Sequence, residues 1–274
     1  MHHNSEAFLE CTYSDKQIQC ERHFHNAYEL IYIYEGSVRI NIGESCYDVE
    51  PNTAVFISKL EQHNLQIIKG YYRRCFILLS PLQLDRAIED PKLKSVFISR
   101  PEWFCHAFDL SENAAEAQAL ISAILKENIN PSWFSKSVSF DLFELFIILC
   151  YRARKEQFPL PSKKFTRAVY DVQKFIDSHF TEDVKLEELS SRFYISSSYL
   201  SHAFREWTGC SPKQYIMKSR IAYAKELLIT TDLNVSEVAV RSGFGDTSNF
   251  IRSFKKETSE TPRHYRTNNT TSEL

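Results

Sequence analysis

Two periodicities divide the chain. Between His23 and Ser80, apolar and polar residues alternate in short runs: Tyr28 to Tyr34, Val38 to Ile42, Cys46 to Val49, Thr53 to Ser58, Asn64 to Ile68 and Cys75 to Leu79. Glu35-Gly36, Gly43, Pro51-Asn52 and Gly70 separate them. Period two over such lengths predicts strands, and many short strands at this spacing predict a β sandwich or barrel. From Ser111 the period lengthens. Ala114 to Glu127 and Trp133 to Lys155 read as two helices, the second with Leu142, Phe146, Leu149 and Cys150 along one stripe. Phe143, Phe146, Ile147 and Ile148 make it apolar on more faces than one neighbour covers, which favours pairing of this hairpin with a second copy over simply covering its own domain.

Phe158-Pro-Leu-Pro-Ser-Lys-Lys164 carries two prolines in four residues, cannot continue a helix, and reads as a linker. Beyond it the pattern is helical almost to Arg266, and Thr267 to Leu274 is polar and reads as a disordered tail. The expected class is α+β: a β domain over 1–110, a helical hairpin over 111–157 for dimerisation, a linker over 158–164, an all-α domain over 165–266 and a tail over 267–274.

The helical part repeats itself. Phe204-Arg-Glu-Trp-Thr-Gly-Cys-Ser-Pro-Lys-Gln-Tyr215 returns fifty positions later as Phe254-Lys-Lys-Glu-Thr-Ser-Glu-Thr-Pro-Arg-His-Tyr265. One supersecondary unit has been used twice. In each copy a short helix (Leu186 to Phe193; Val235 to Ser242) is followed by a turn (Tyr194-Ile195; Gly243-Phe-Gly245). A capping residue, Ser196 or Asp246, then opens a second helix. Helix, tight turn, helix is the helix-turn-helix unit. At about 100° per residue, Leu200, Ala203, Phe204 and Trp207 face inward and Ser198, Ser201, His202 and Arg205 outward. The second copy places Phe250, Ser253 and Phe254 inward, and Ser248, Ile251, Arg252 and Lys255 outward. Small polar residues let a helix approach the floor of the major groove, and Arg252 can offer two donors to guanine. Ile251 can rest on a thymine methyl, and Thr247 can reach a base or a phosphate. The helix between the copies, opened by Ser211-Pro212, is a rigid spacer that sets two reading helices about one DNA turn, roughly 34 Å, apart. Arg205, Lys213, Lys218, Arg220, Arg241, Lys255 and Lys256 are candidates for phosphate contacts, each with the alternative of being a solvated surface charge.

The stretch from Ala168 to Arg266 resembles the DNA-binding domain of the AraC/XylS family of bacterial transcription regulators. The resemblance is carried by Arg220-Ile-x-x-Ala224-Lys-x-Leu-Leu228, Val235-x-Glu-Val-Ala239, Gly243-Phe-x-Asp246-x-Ser248-x-Phe250-x-Arg252-x-Phe254-Lys-Lys256 and Thr261-Pro-x-x-Tyr265-Arg266. It implies that Ser198, Ser201, His202, Thr247, Ser248 and Arg252 occupy base-reading positions. Ser259 stands where the family has Gly, as the first copy does at Gly209, so the final helix is expected to be set differently.

In the front domain, His23-Phe-His25-Asn-Ala-Tyr-Glu29 followed by Gly36 has the spacing of the first cupin motif, whereas Pro51-Asn52-Thr53 lacks the Gly of the second. On a continuous strand, period two puts His23, His25 and Glu29 on one face, and His63 can add a fourth group. Three readings stand in order: an effector pocket, which is what the resemblance to the AraC/XylS family implies, a structural polar cluster, and a site for iron, manganese or zinc. The expected fold is thus a cupin-like β-barrel with a helical hairpin, followed by two helix-turn-helix units.

Charge and cysteines sharpen this only slightly. From Ser162 onward there are 17 Lys/Arg against 14 Asp/Glu, and before it 16 against 21, so the repeated half is the basic half. The seven cysteines, at 11, 20, 46, 75, 105, 150 and 210, include no Cys-x-x-Cys pair and read as reduced thiols rather than a disulfide frame or a zinc site. The first residues have no signal-like apolar run, and Phe140 to Tyr151 is too short to span a bilayer. The expectation is a cytoplasmic regulator, not an enzyme and without a bound cofactor or membrane contact. Its expected partners are double-stranded DNA, a small-molecule effector, RNA polymerase and a second copy. The alternative is a metal-binding cupin enzyme fused to a DNA-binding domain.

Overall fold

The computed structural model describes residues 9–17, 19–101, 103–159 and 166–270, and the chain divides into two compact units, Met1–Ser162 and Lys163–Leu274. The first is built on one seven-stranded antiparallel sheet: β1 (Glu10–Ser14), β2 (Cys20–His23), β3 (Tyr28–Ile42), β4 (Ser45–Val49), β5 (Thr53–Ile57), β6 (His63–Leu79) and β7 (Ala107–Asp109). Its main path runs β1-β6-β3-β5-β7, with β2 added to β6 and β4 to β3. The runs that the alternation separates at Gly36 and Gly70 are joined here. β3 and β6 are single long strands, paired from Tyr28–Leu79 to Ile42–His63 with register shifts between Ile33 and Val38. Irregularity of this kind bends a ladder without ending it. The first half of β3 pairs with β5 and its second half with β4, so the bent ladder encloses a core of Ile31, Ile33, Val38, Ile40, Ile42, Val49, Val55, Ile57, Leu65 and Tyr72.

Helices α1 (Pro81–Ala87) and α2 (Pro91–Ile98) each begin at proline behind a capping side chain, Ser80 and Asp90. After β7 come α3 (Ala114–Ile129) and α4 (Ser135–Ala153). Gln118 of α3 donates to Asn52 Oδ1 (2.8 Å), which also accepts from the Tyr32 hydroxyl (3.1 Å). Phe143, Phe146 and Ile147 of α4 are fully buried in their own unit, with Phe146 against Tyr32 and Phe143 against Phe97. The apolar excess seen in the sequence therefore mostly serves this unit. Val138, Leu142, Leu145 and Leu149, spaced four, three and four, stay exposed or half-exposed. Phe158, read from the sequence as linker, is buried against Phe108 and Tyr151, because its ring completes that cluster. Residues 160–164 of that linker lie outside the described residues.

The second unit contains α5 (Thr166–His179), α6 (Leu186–Arg192), α7 (Ser197–Thr208), α8 (Pro212–Thr230), α9 (Val235–Arg241), α10 (Thr247–Thr258) and α11 (Pro262–Thr270). Gln173 of α5 is buried, and its amide is satisfied at both ends. It accepts from Trp207 Nε1 and donates to Tyr215 Oη, each at 2.9 Å, so that α5, α7 and α8 share one polar joint. The repeated Phe-to-Tyr segment forms the same joint twice: Phe204 packs edge-on to Tyr215 at 5.3 Å and Phe254 to Tyr265 at 5.5 Å. The expectation that Ser259 would reset the last helix is corrected. Ser259 takes the left-handed conformation (φ 64°) that Gly209 takes in the first copy (φ 76°), at a cost of about 1 kcal/mol, and α11 starts fifty residues after α8. The last helix also runs through Thr270, so residues 267–270, expected as disordered tail, are helical. Once Tyr265 docks on Phe254, the helix it starts continues for another turn.

Candidate nucleic-acid interface and histidine cluster

Helices α7 and α10 each start at a capping residue: the Ser196 hydroxyl accepts from Tyr199 N, and the Asp246 carboxylate accepts from Ser248 N and Asn249 N. With the start fixed, so is the phase of each helix. Leu200, Ala203, Phe204 and Trp207 are buried in one, Phe250 and Phe254 in the other. On the opposite faces Ser198, His202 and Arg205, and Ser248, Ile251, Arg252, Lys255 and Lys256, are exposed, while Ser201 and Thr247 are half-buried. Lys213 and Arg241 are exposed and Lys218 is half-buried.

Arg220 departs from the phosphate-contact reading. Its Nε donates to Phe180 O (2.6 Å) and its Nη2 to Glu182 O (2.7 Å), and the half-buried guanidinium lies 5.9 Å from the Phe244 ring. Burial pulls its pKa down from the ordinary arginine value. These donors are spent inside the fold. From the other side the α9–α10 turn presses on the same loop: at Gly243 (φ 85°) an added Cβ would lie 2.5 Å from Thr181 O. Residues 180–182, next to the first helix-turn-helix, are thus held by α8 and by the turn of the second. The sequence hides this joint, since Arg220 binds backbone carbonyls about forty residues away; the Gly-Phe-Gly turn is its one visible trace.

In the first unit, His23 ends β2, His25 lies in the connection to β3, Glu29 is near the start of β3 and His63 begins β6. The four do meet, although not on the continuous strand expected: Phe24 to Ala27 are outside any strand. Glu29 and His63 stand near opposite ends of the β3–β6 ladder, and the bend in that ladder brings them to 3.3 Å. His25 Nε2 is 3.0 Å from the same Glu29 Oε2. The His23 and His63 rings are 4.2 Å apart. Each Nδ1 faces a backbone carbonyl: His23 that of Glu21 (2.9 Å), His25 that of Ala27 (3.0 Å), His63 that of Glu61 (2.9 Å). Burial alone would raise the Glu29 pKa, but hydrogen bonds from His25 and His63 hold it well below the carboxylate range. Burial, with His63 close by, pushes His23 down to about 4.

Beside the cluster is a network that sequence reading missed. Glu61 accepts from Arg100 Nε (3.1 Å) and Ser58 N (2.8 Å) and meets His106 Nε2 (3.0 Å), while Tyr47 Oη meets His106 Nδ1 (2.9 Å). Its members come from distant segments, with no spacing to connect them.

The fold and these two sites define a class: a sheet unit with a buried polar cluster, followed by a helical unit with paired helix-turn-helix motifs. Residues 9–139 match the family model described as the AraC-like ligand binding domain, and residues 189–268 match the one described as a helix-turn-helix domain. The chain belongs to the AraC family of transcription regulators. It is 37% identical over 95 residues to the uncharacterized HTH-type transcriptional regulator YijO of Escherichia coli K12, covering 35% of this chain and 34% of that protein. It is 32% identical over 93 residues to the regulatory protein PocR of Salmonella typhimurium LT2, covering 34% and 31%. The chain thus spans about a third of the length of these curated relatives. Across 97% of both chains it shares the fold of ToxT from Vibrio cholerae, solved with an unsaturated fatty acid bound, with a TM-score of 0.63 and 14% identity. No helix among the described residues is long and apolar enough to cross a membrane.

Proposed function

We propose that this chain is a sequence-specific DNA-binding transcription regulator whose first unit responds to a small-molecule ligand. The observation that carries the reading is the duplicated exposure pattern of α7 and α10, in which short polar groups and a cation are presented outward from helices anchored by buried aromatics. Ser198, Ser201 and His202 read bases in one half-element and Thr247, Ser248, Ile251 and Arg252 in the other. Arg205, Lys213, Lys218, Arg241, Lys255 and Lys256 contact phosphates. The two sets differ in chemistry, so the half-elements differ in sequence. The role is binding rather than catalysis; His23, His25, Glu29 and His63 hold the ligand, and its occupancy changes promoter occupancy or contact with RNA polymerase.

Replacing Arg252 by Ala is expected to weaken binding to a selected operator by about 1–3 kcal/mol, roughly 5- to 150-fold, and to relax preference at one base pair. Affinities measured over a set of single-base operator variants test this. Equal weakening for every variant would reassign Arg252 to a phosphate, and no change would remove it from the interface.

A second copy is proposed to pair through the exposed stripe Val138, Leu142, Leu145 and Leu149, since a four-three-four spacing is the seam of a two-helix contact. Leu145→Lys is expected to turn a dimer into a monomer in sedimentation equilibrium. A wild-type chain that sediments as a monomer at micromolar concentration rules the pairing out.

A further inference from the structure

We propose that Cys11 and Cys75 are a redox pair: a hydroperoxide converts them to a disulfide that ties β1 to β6, and a small thiol opens it again. The two residues are 64 positions apart in the chain, yet their sulfurs are in hydrogen-bond contact at 3.3 Å. Strand pairing makes the contact. β1 and β6 are antiparallel, with Cys11 opposite Ile77 and Tyr13 opposite Cys75, so the cysteines are diagonal neighbours on one face. Both are buried and both are free thiols. Packing alone would be served by any small apolar side chain; what two thiols add at this separation is the capacity to become one bond.

Cys11 is the sulfur that meets the oxidant. Its strand β1 ends the path of the sheet, and it is 8% exposed against 1% for Cys75. The hydrogen bond with Cys11, together with burial, pushes the Cys75 thiol far up, which keeps the proton on Cys75 until the second step. The Cys11 thiolate attacks the hydroperoxide, the O–O bond breaks, water or an alcohol leaves with the Cys11 proton, and Cys11 becomes a sulfenic acid. The Cys75 sulfur then attacks the Cys11 sulfur; the S–S bond forms, the S–O bond breaks, and the hydroxide departs as water with the Cys75 proton. Two thiols have given two electrons and two protons to the peroxide. The sulfurs close from 3.3 Å to about 2.0 Å. Diagonal neighbours stand about 7–8 Å apart at Cα, at or just beyond the about 4.4–6.8 Å that a disulfide spans, so closure draws β1 along β6 and the bond is of the readily reduced kind. The pull arrives beneath the helical hairpin. Helix α3 packs on β1, Tyr32 is opposite Cys75 in the β3–β6 ladder, and Tyr34, beside both sulfurs, is hydrogen-bonded to Ser122 of α3.

The test uses the full chain, fully reduced, with hydrogen peroxide as the probe. Native protein is expected to lose the mass of two hydrogen atoms and, after alkylation and digestion, to yield a peptide in which Cys11 is joined to Cys75. Protein oxidised in urea is expected to give mixed pairings among its seven cysteines, because only the fold selects this pair. Reduced glutathione is expected to restore the starting mass of the native sample. Cys75→Ala is expected to stop at a Cys11 sulfenic acid that dimedone captures. The wild-type peptide map needs no variant, and it decides the matter if Cys75→Ala does not fold. Cys11 and Cys75 left unlinked in native protein, the same mixture of pairings with and without urea, or a Cys11–Cys75 bond that glutathione does not open, overturns the proposal.

Discussion

Gly243→Ala is expected to destabilise the second unit by about 2–5 kcal/mol, the sum of a left-handed residue with a Cβ and a core-like overlap. The overlap is with backbone, Thr181 O at 2.5 Å and Thr181 Cα at 2.7 Å, and no rotamer change relieves it. Either the 180–182 loop moves off the α9–α10 turn or the turn gives way, and the spacing of α7 and α10 changes with it. Operator affinity is therefore expected to fall even under conditions where the variant remains folded. Gly209→Ala is the control: it too has positive φ (76°), but nothing lies within 4 Å of the added Cβ, so only the backbone cost of about 1–2 kcal/mol remains. Urea unfolding of both variants, with operator titrations, measures the difference. Equal losses would mean that the close approach at Gly243 has no energetic weight.

Glu61→Ala is expected to cost the first unit about 3–5 kcal/mol, because it leaves the guanidinium of Arg100 buried without its counter-charge. Arg100 keeps its Nη1 bonds to the Val96 and Ser99 carbonyls and its place over the Phe104 ring, but none of these is a counter-charge, and Nη2 has no hydrogen-bond partner among the described residues. The same network sets an acid limit on stability. Burial raises the Glu61 pKa, but the charge of Arg100 and the hydrogen bond from His106 outweigh it and hold the carboxyl at about 2, against an ordinary 4.5. Between those values the unfolded chain binds a proton that the folded chain refuses. The stabilisation is complete above about pH 4.5 and is lost as pH falls toward 2, on the order of 3 kcal/mol in all. Burial depresses His106 too, so its contribution has the same sign and begins to fade below 6.5. Stability measured from about pH 7 to pH 3 is expected to fall more steeply in the wild type than in Glu61→Gln; identical slopes would sink this assignment.

What the sequence disclosed followed from repetition and period. Both helix-turn-helix units, their caps Ser196 and Asp246 and the inward and outward sorting of α7 and α10 were legible, because a helix of known phase with two buried anchors has one possible outer face. The bend of β3 was not. Gly36 reads equally as the turn of a hairpin or a bulge in one strand, and only the long-range pairing with β6 decides between them. The histidine cluster was half legible for the same reason: the four residues were found, but on a single strand, whereas His63 reaches Glu29 because the ladder folds back. Arg220 was misread since a cation near a DNA-reading helix looks the same in sequence whether it faces a phosphate or the Phe180 and Glu182 carbonyls. Glu61, Arg100 and His106 left no trace at all, being united only by the fold.

Strand β3 also acts as a connecting rod. Glu29 is near one end, and three residues on, about 10 Å along the strand, Tyr32 reaches Asn52 and through it Gln118 of α3. Bond lengths are fixed, so a displacement of the strand backbone at Glu29, as opposed to a rotation of its side chain, is carried toward Tyr32. Under the ligand-holding role proposed for the cluster, that site and the helical hairpin are in series on one strand.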